Sequence, residues 1–317
     1  MNLALPSQAP TNPFDSFACA WKLTRQIHEG RSWQDVLTKC TGRAFTAMAG
    51  HRTFTAWVGF LLQPENRPFV EANPLLIHRT LLGYLSTRWN GDRKLRALRD
   101  SYRFAKSHPG PLLQSLLQPN EVTFAEVPLG DETGNVRFAL THSARFRREG
   151  EWTLRVYCDK LGGELCSIAF SVEEIKGQWV AYTGAIQGGS GANEETIKAS
   201  AKAMHGVRAK AMALFALQEV VSALGITRLL GAGNSIQMSN GKHMIHVPWN
   251  KISFNYDGMW AEAGGKPTAE DGWFELPLRE VRRTREEIKA NKRPLYARRY
   301  ALFDQLQAAA SQGLKSA

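Results

Sequence analysis

The sequence predicts an α+β protein: a helical N-terminal subdomain, then a mixed, mostly antiparallel sheet, then a C-terminal helix. Three observations carry that prediction. Up to about residue 120, apolar residues recur every three or four positions. From about Glu121 the period changes to two, in five short runs separated by turn-forming residues. After Leu278 the helical reading returns. The expected units are therefore residues 1–120, 121–277 and 278–317, in a chain long enough to bury a sizeable core.

In the first unit, ACAWKLTRQIHEG and SWQDVLTKCTGRAFTAMAG have helical spacing. The most apolar window, Ala44 to Leu62, is interrupted by His51, Arg52 and three threonines. A bilayer span needs about 20 mostly apolar residues. The window therefore reads as a buried amphipathic helix pair, with peripheral membrane contact as the alternative. NPLLIHRTLLGYLSTRWNGDRKLRALRDSYRFAKSH continues the helical pattern, with Asn73 as a cap and Pro74 in a first turn. HPGP, from His108 to Pro111, breaks it.

In the second unit, EVTFAEVP, NVRFALTHSARFR, WTLRVYCD, ELCSIAFS and QWVAYTGAIQ are strand-like. The short connectors GDETG, REGE, KLGG and EEIKG make them an antiparallel meander. A long helix is expected from about Glu194 to Leu224, stopped by Gly225, and then the apolar strand ITRLLGAG. That order requires one crossover. ISFNYDGMWAEAGG and GWFELP are expected to be two further strands, and Leu278 to Gly313 a helical tail.

Composition narrows the class. Hydrophobic residues make up 43% and charged residues 22%, as in an ordinary soluble globular chain. The N-terminal stretch has neither a basic n-region nor an apolar h-region, which argues against a cleavable secretory signal. Cys19, Cys40, Cys158 and Cys166 form no CxxC pair and have no metal-ligand spacing. Reduced thiols in the cytoplasm follow, with Cys158 and Cys166 as small apolar residues on neighbouring strands. His205, His243 and His246 also lack metal-ligand spacing, so no metal is expected. No nucleophile elbow, Walker loop or kinase signature occurs. The expected location is cytoplasmic, with contact at the inner membrane as a variant.

The net charge of +11 favours an acidic partner: nucleic acid, an anionic lipid surface or a phosphorylated cofactor. The segment Arg279 to Tyr300 alone carries +6. It reads as the solvated face of a C-terminal helix, or as a surface for a polyanion.

The stretch KAMHGVRAKAMALFAL, Lys202 to Leu217, presents the first candidate site. A helix starting at HGVRAK points unpaired backbone N–H groups, Arg208 and Lys210 forward, which suits an anion. The preceding GAIQGGSGA, Gly184 to Ala192, lets a ligand approach the backbone. The alternative is a basic start to a core helix. Arg208 to Ala213 reads R-x-x-A-x-A, which resembles the pyrophosphate loop of the GCN5-related acetyltransferases. In that family the loop opens the helix between the fourth and fifth core strands and cradles the pyrophosphate of coenzyme A.

That resemblance implies an acyl-CoA or acetyl-CoA site at Gln187, Val207, Arg208, Ala209, Lys210, Ala211, Met212 and Ala213. Ala211 stands where the family prefers glycine. It also implies that Asn234, ending the strand Gly231-Ala232-Gly233-Asn234, meets the pantetheine arm where two strands splay. A Gly-Asn turn is the alternative. Tyr256, Asp257 and Glu262 offer a general acid or base. On a strand, Asn255, Asp257 and Met259 would share one face, and Tyr256, Gly258 and Trp260 the other. An aromatic-rich strand with solvated acids is the alternative. Glu164 could serve likewise, or be a hairpin-edge carboxylate. Arg88-Trp89-Asn90 with Ser101-Tyr102-Arg103-Phe104 could stack on a polyanion, or pack by its aromatics with arginine outward.

Taken together, RWNGDRKLRALRDSYRF, GGELCSIAFS, GAIQGG, KAMHGVRAK, ISFNYDGMWAEAGG, GWFELP and EIKANKRPLYARRYALFD are similar to the bacterial VirK/YbjX family, a family of unknown function. They span about residues 80 to 305. Ala209 replaces a proline and Ala263 a larger apolar residue expected in relatives. The resemblance implies association with virulence, envelope integrity and stress resistance in Gram-negative bacteria, without a demonstrated reaction. Three functions follow. One is an acyltransferase with an acetyltransferase-like core. Another is a non-catalytic envelope or virulence accessory protein whose basic tail binds anionic lipid or a client protein. Nucleic-acid binding comes last, since no recognisable module is present.

Overall fold

The computed structural model describes residues 4–130, 132–189, 193–240 and 254–315. Six helices come first: α1 (Pro13–Ile27), α2 (Trp33–Ala49), α3 (His51–Leu61), α4 (Arg67–Ala72), α5 (Gly91–Ser107) and α6 (Pro111–Leu117). A 3-10 run, Pro74–Leu81, lies between α4 and α5. Side-chain caps set several of the starts. Asn12, Ser32, Asn73 and Asn90 accept from the backbone N–H of Asp15, Asp35, Leu75 and Arg93. The window Ala44 to Leu62 is a helix pair, parted at Gly50.

The run from Asn73 is not one helix. Leu85 takes a left-handed φ of 57° and donates its N–H to the Arg148 carbonyl, 2.7 Å away, so a distant loop overrides local helical spacing. Helix resumes only at the Asn90 cap.

Five strands then form the antiparallel meander: β1 (Val122–Pro128), β2 (Asn135–Thr141), β3 (Trp152–Cys158), β4 (Gly163–Ile175) and β5 (Gln178–Gly188). Cys158 and Cys166 are buried on the adjacent strands β3 and β4. β6 (Arg228–Ala232) is parallel to β5, while β7 (Lys266–Pro267) and β8 (Trp273–Leu276) are antiparallel. Across the sheet the order is β1-β2-β3-β4-β5-β6-β8-β7.

Three expected elements differ. The single helix from Glu194 to Leu224 is two, α7 (Glu194–Ala203) and α8 (Ala209–Ala223). Between them His205 and Gly206 are both left-handed, with φ of 54° and 81°. The Arg299 guanidinium donates to the His205 carbonyl at 3.2 and 3.3 Å. It also lies where a Cβ on Gly206 would be 2.9 Å from its Nη2, so the turn fits glycine on two counts.

The segment around Asp257 is a helix, α9 (Tyr256–Glu262), rather than a strand. The Asn255 side chain accepts from Gly258 N–H at 3.0 Å and caps it. The two-face alternation therefore does not apply. Tyr256 and Trp260, four residues apart, share one buried face.

In the tail, the last long helix, α10, spans Arg293–Gly313, with a proline in its first turn. Most of the basic segment precedes it without regular helix, so those cations do not form one helix face.

Buried side chains from the N-terminal helices, the sheet and the C-terminal helices form one continuous core. α5 lies on β4, α8 on β3 to β5, and α10 on β1 and α8. The Phe215 and Phe303 rings stack at 4.3 Å between α8 and α10. Two contacts between an arginine and a buried carboxyl group tie the N-terminal region to the sheet. Arg79 meets Glu151 at 3.0 Å, and Glu151 also accepts from the Tyr102 hydroxyl at 2.5 Å. Arg93 pairs with Glu173 and donates to the Tyr182 hydroxyl at 2.8 Å.

Burial lifts the Glu173 carboxyl from 4.5 to about 7, with Arg93 opposing the shift. Between those values the folded protein holds a proton that the unfolded chain has lost. The stability contributed by this group therefore falls as pH rises through that window. Glu173→Gln, which cannot ionise, is expected to show a shallower fall of Tm from pH 4.5 to 7 than the parent. Equal slopes in thermal melts would contradict a buried, proton-holding Glu173.

Candidate functional site

β5 and β6 pair only from Val180↔Arg228 to Thr183↔Gly231. Beyond that, β5 continues along β4 to Gly188, while β6 ends at Ala232. The strands part at their C-terminal ends, where ligands of open α/β sheets commonly bind. Aromatic side chains of α9 enter this gap. The Tyr256 hydroxyl donates to the Ile186 carbonyl at 3.3 Å, and the Trp260 indole N–H donates to the Ala232 carbonyl at 2.9 Å. A Cβ on Gly231 would lie 2.8 Å from the Trp260 ring, so glycine is what allows that ring to close on β6. Burial pushes the Tyr256 hydroxyl up to about 12.

A polar clasp joins β6 to α9. Asp257 accepts from Asn234 N–H at 2.7 Å, and Asn234 Oδ1 accepts from Tyr256 N–H at 2.9 Å. Asn234 Nδ2 donates to Asn255 Oδ1 at 3.0 Å. Gly233 accommodates this join, since a Cβ there would stand 2.6 Å from Asp257 Oδ1.

The start of α8 opens on a cleft of about 380 Å³. Arg208, Lys210, Ala211 and Leu214 line one side, and Phe254, Asn255, Gly258, Met259, Glu262 and Ala263 the other, with Glu280 at the rim. Arg208 is the N-cap residue in an extended conformation, and among the described residues no side chain caps the helix. The first-turn N–H groups of a 15-residue helix therefore supply partial positive charge at the cleft. Lys210 Nζ sits 3.1 Å from the centroid of the Phe254 ring. Partial burial lowers the Lys210 pKa, with Cys166 nearby acting in the opposite sense. Two cations and a helix start on one wall, facing Glu262 and with Glu280 at the rim, can hold an anion at the α8 side and move a proton beside it.

The predicted residues thus separate. Arg208, Lys210, Ala211 and Glu262 share the cleft. Ala209 is the first residue of α8, while Val207, Met212 and Ala213 are buried beneath it. Gln187 is half-buried near the end of β5 and accepts from Arg145 at 2.9 Å. Tyr256 fills the strand gap, and Asn234 and Asp257 form the clasp. Glu164 accepts from Ser167 at 2.8 Å and pairs with Arg155. Tyr102 and Phe104 pack inward while Arg103 is exposed, and Trp89 lies against Tyr182 and Trp273. His243 and His246 lie outside the described residues.

Sequence reasoning missed Phe254, Met259 and Glu280 as cleft walls. A usable signal was present: Asn255, Met259 and Glu262 are spaced four and three apart, one face of a helix.

A family model described as "Protein of unknown function (DUF535)" matches residues 38–312. Two uncharacterized proteins of Haemophilus influenzae strain Rd are each 25% identical. One matches over 228 residues, covering 71% of this chain and 73% of the relative; the other over 256 residues, covering 75% and 79%. The "Uncharacterized protein YbjX" of Escherichia coli K12 is 25% identical over 236 residues, 74% of this chain and 69% of that protein. No solved structure matches.

The clasp makes a structural role testable. Asn234→Ala removes the acceptor for Tyr256 N–H and the donor to Asn255. It is expected to cost about 1–3 kcal/mol in urea unfolding. Asn234→Asp keeps the acceptor but sets a carboxylate against Asn255 Oδ1 and Asp257, so it should destabilise as well. A loss in the alanine variant too small to measure would contradict the clasp.

Proposed function

We propose, for a chain that belongs to the DUF535 family of proteins of unknown function, that the cleft at the start of α8 binds a phosphorylated acyl carrier, acyl-CoA or acetyl-CoA, and that the protein is an acyltransferase of the acetyltransferase type. One observation carries this reading: Arg208, Lys210 and the first turn of α8 open into one cleft whose far wall includes α9, the helix whose rings fill the parting of β5 and β6. The strand order supports it. An antiparallel meander leads through a helical crossover to a parallel neighbour, the setting in which GCN5-related acetyltransferases hold the pyrophosphate of coenzyme A.

The residues present fit such a carrier. Arg208 and Lys210 would hold its phosphates together with the α8 amides, and the small Ala211 leaves them accessible. Bound acyl-CoA would supply the activated thioester, with coenzyme A leaving as the thiol when the acyl group passes to the acceptor. Glu262, on the opposite wall, would take the proton from an attacking acceptor. Asn234 N–H is already bonded to Asp257, so a donor to the thioester carbonyl has to come from another amide. The acyl arm can lie between the strands once the Tyr256 ring leaves the gap.

That same filling favours a second reading. With Tyr256 and Trp260 between β5 and β6, the cleft would take an organic phosphate without transferring an acyl group. The protein would then be an accessory factor, with the exposed arginines before α10 meeting anionic lipid, a client protein or nucleic acid. The links to virulence, envelope integrity and stress resistance belong to this proposal through the VirK/YbjX resemblance.

Thermal-shift titration with coenzyme A tests the cleft. The parent is expected to gain several degrees at millimolar ligand. Arg208→Ala should weaken binding about tenfold or more, by removing a charged hydrogen-bond donor. No stabilisation of the parent, or the same stabilisation in Arg208→Ala, would contradict carrier binding. Release of free thiol from acetyl-CoA, lost in Glu262→Gln, separates the transferase from the accessory reading.

A further inference from the structure

We infer that the outer face of the α1/α2 hairpin docks on an anionic lipid bilayer. Among the described residues, six large apolar side chains are exposed, and four lie on this hairpin. They are Phe14, Trp33, Phe45 and Leu37, at 79%, 71%, 53% and 45% exposure. The other two, Ile197 and Val281, lie elsewhere. The hairpin residues are joined by partly covered rings. Phe17 stacks with Trp21 at 6.0 Å and meets Phe45 edge-on at 5.2 Å, so the aromatic surface continues from α1 to α2.

Every fully exposed residue of α2, from Trp33 to Ala49, is uncharged, and the part-exposed Asp35 and Lys39 at its flank pair with each other. A helix facing only water normally carries charges on that side. Its threonine hydroxyls are also turned inward. Thr38, Thr41 and Thr46 donate to the carbonyls of Gln34, Leu37 and Gly42, each at 2.8 Å. Hydroxyls bonded back into the helix present less polar surface outward.

The charges around this face select the occupant. On α1, Lys22 and Arg25 are exposed and continue the stripe of Phe14 and Trp21 at helical spacing. Arg31 is exposed in the turn. Two of the hairpin's carboxylates are engaged locally: Asp15 accepts from Thr11 and Asn12 in the N-terminal cap, and Asp35 pairs with Arg31 and Lys39. Glu29 is the third, exposed in the turn. A second copy on the same face would pair isologously and bring the same cationic rim against itself. A bilayer with anionic headgroups instead meets the cations at its surface and the rings at the acyl boundary. The chain's net charge of +11 acts in the same direction. This inference is independent of the α8 cleft.

Co-sedimentation of the full chain with phosphatidylcholine vesicles, with and without about 30% phosphatidylglycerol, tests it. The parent should pellet with the anionic vesicles and much less with the neutral ones. Trp33→Gln/Phe45→Gln, with an unchanged melting temperature, is expected to partition roughly tenfold more weakly. Val281→Gln should match the parent. Three results would overturn the proposal. The parent could stay in the supernatant with anionic vesicles, or the double variant could pellet like the parent. In the third, ultracentrifugation shows a dimer that the double variant dissociates, without vesicle binding, which makes a second copy the occupant.

Discussion

A parallel strand pair cannot be closed by a hairpin, and that constraint arranges the rest of this molecule. β5 and β6 run side by side in the same direction, so the chain leaving β5 must cross back before β6 begins. α8 makes that return, which puts its N-terminal end on the side where β5 finishes. The amides and dipole of α8 are thereby directed at the place where the two strands part. The left-handed pair His205-Gly206, held by Arg299 of α10, ends α7 and frees the first turn of α8 from a preceding helix.

The frame around that crossover is held by buried polar contacts as well as by apolar area. Arg79, in the 3-10 run, reaches Glu151 and the carbonyls of Arg147 and Gly150, which fixes an otherwise irregular stretch on the sheet. Breaking one partner of such a pair leaves a buried charge, a loss of about 3–5 kcal/mol. Arg93 extends the same grip to β4 and β5 through Glu173 and Tyr182, and its guanidinium lies over the Trp89 ring. The Asn234–Asp257 clasp then sets α9 against the end of β6. The helices therefore hold β4 and β5 through Glu173 and Tyr182, while α9 covers the far end of β5 through the Tyr256 contact at Ile186.

Much of this was legible in the sequence, for identifiable reasons. The meander shows because period-two runs alternate with glycine-rich turns, and the crossover because a helix, Gly225 and an apolar strand follow one another. The helix start at Arg208 to Ala211 shows because a basic, small-residue stretch precedes an unbroken apolar run. The left-handed turn at His205-Gly206 is held by a carbonyl contact from Arg299, 94 residues later, so the end of α7 before that start is not legible locally. Tyr256 to Glu262 reads as a strand because aromatic residues and Gly258 outweigh a single capping Asn255. Asn234 and Asp257 are residue types that serve catalysis and helix joining equally well, and only their mutual hydrogen bonds assign them to the join. Glu280 reaches the cleft rim from a basic segment whose charge alone gives no direction. The uncharged side of α2 is readable as composition, but its exposure depends on how α1 and α2 pack.

Amide hydrogen exchange with and without coenzyme A tests the central claim most directly, because it reads the α8 start itself. If that helix start holds the carrier's phosphates, exchange at Ala209, Lys210 and Ala211 should slow on adding coenzyme A, and exchange in α1 should not change. Binding accompanied by unchanged exchange at those three amides, with protection appearing elsewhere, would contradict the assignment of the cleft.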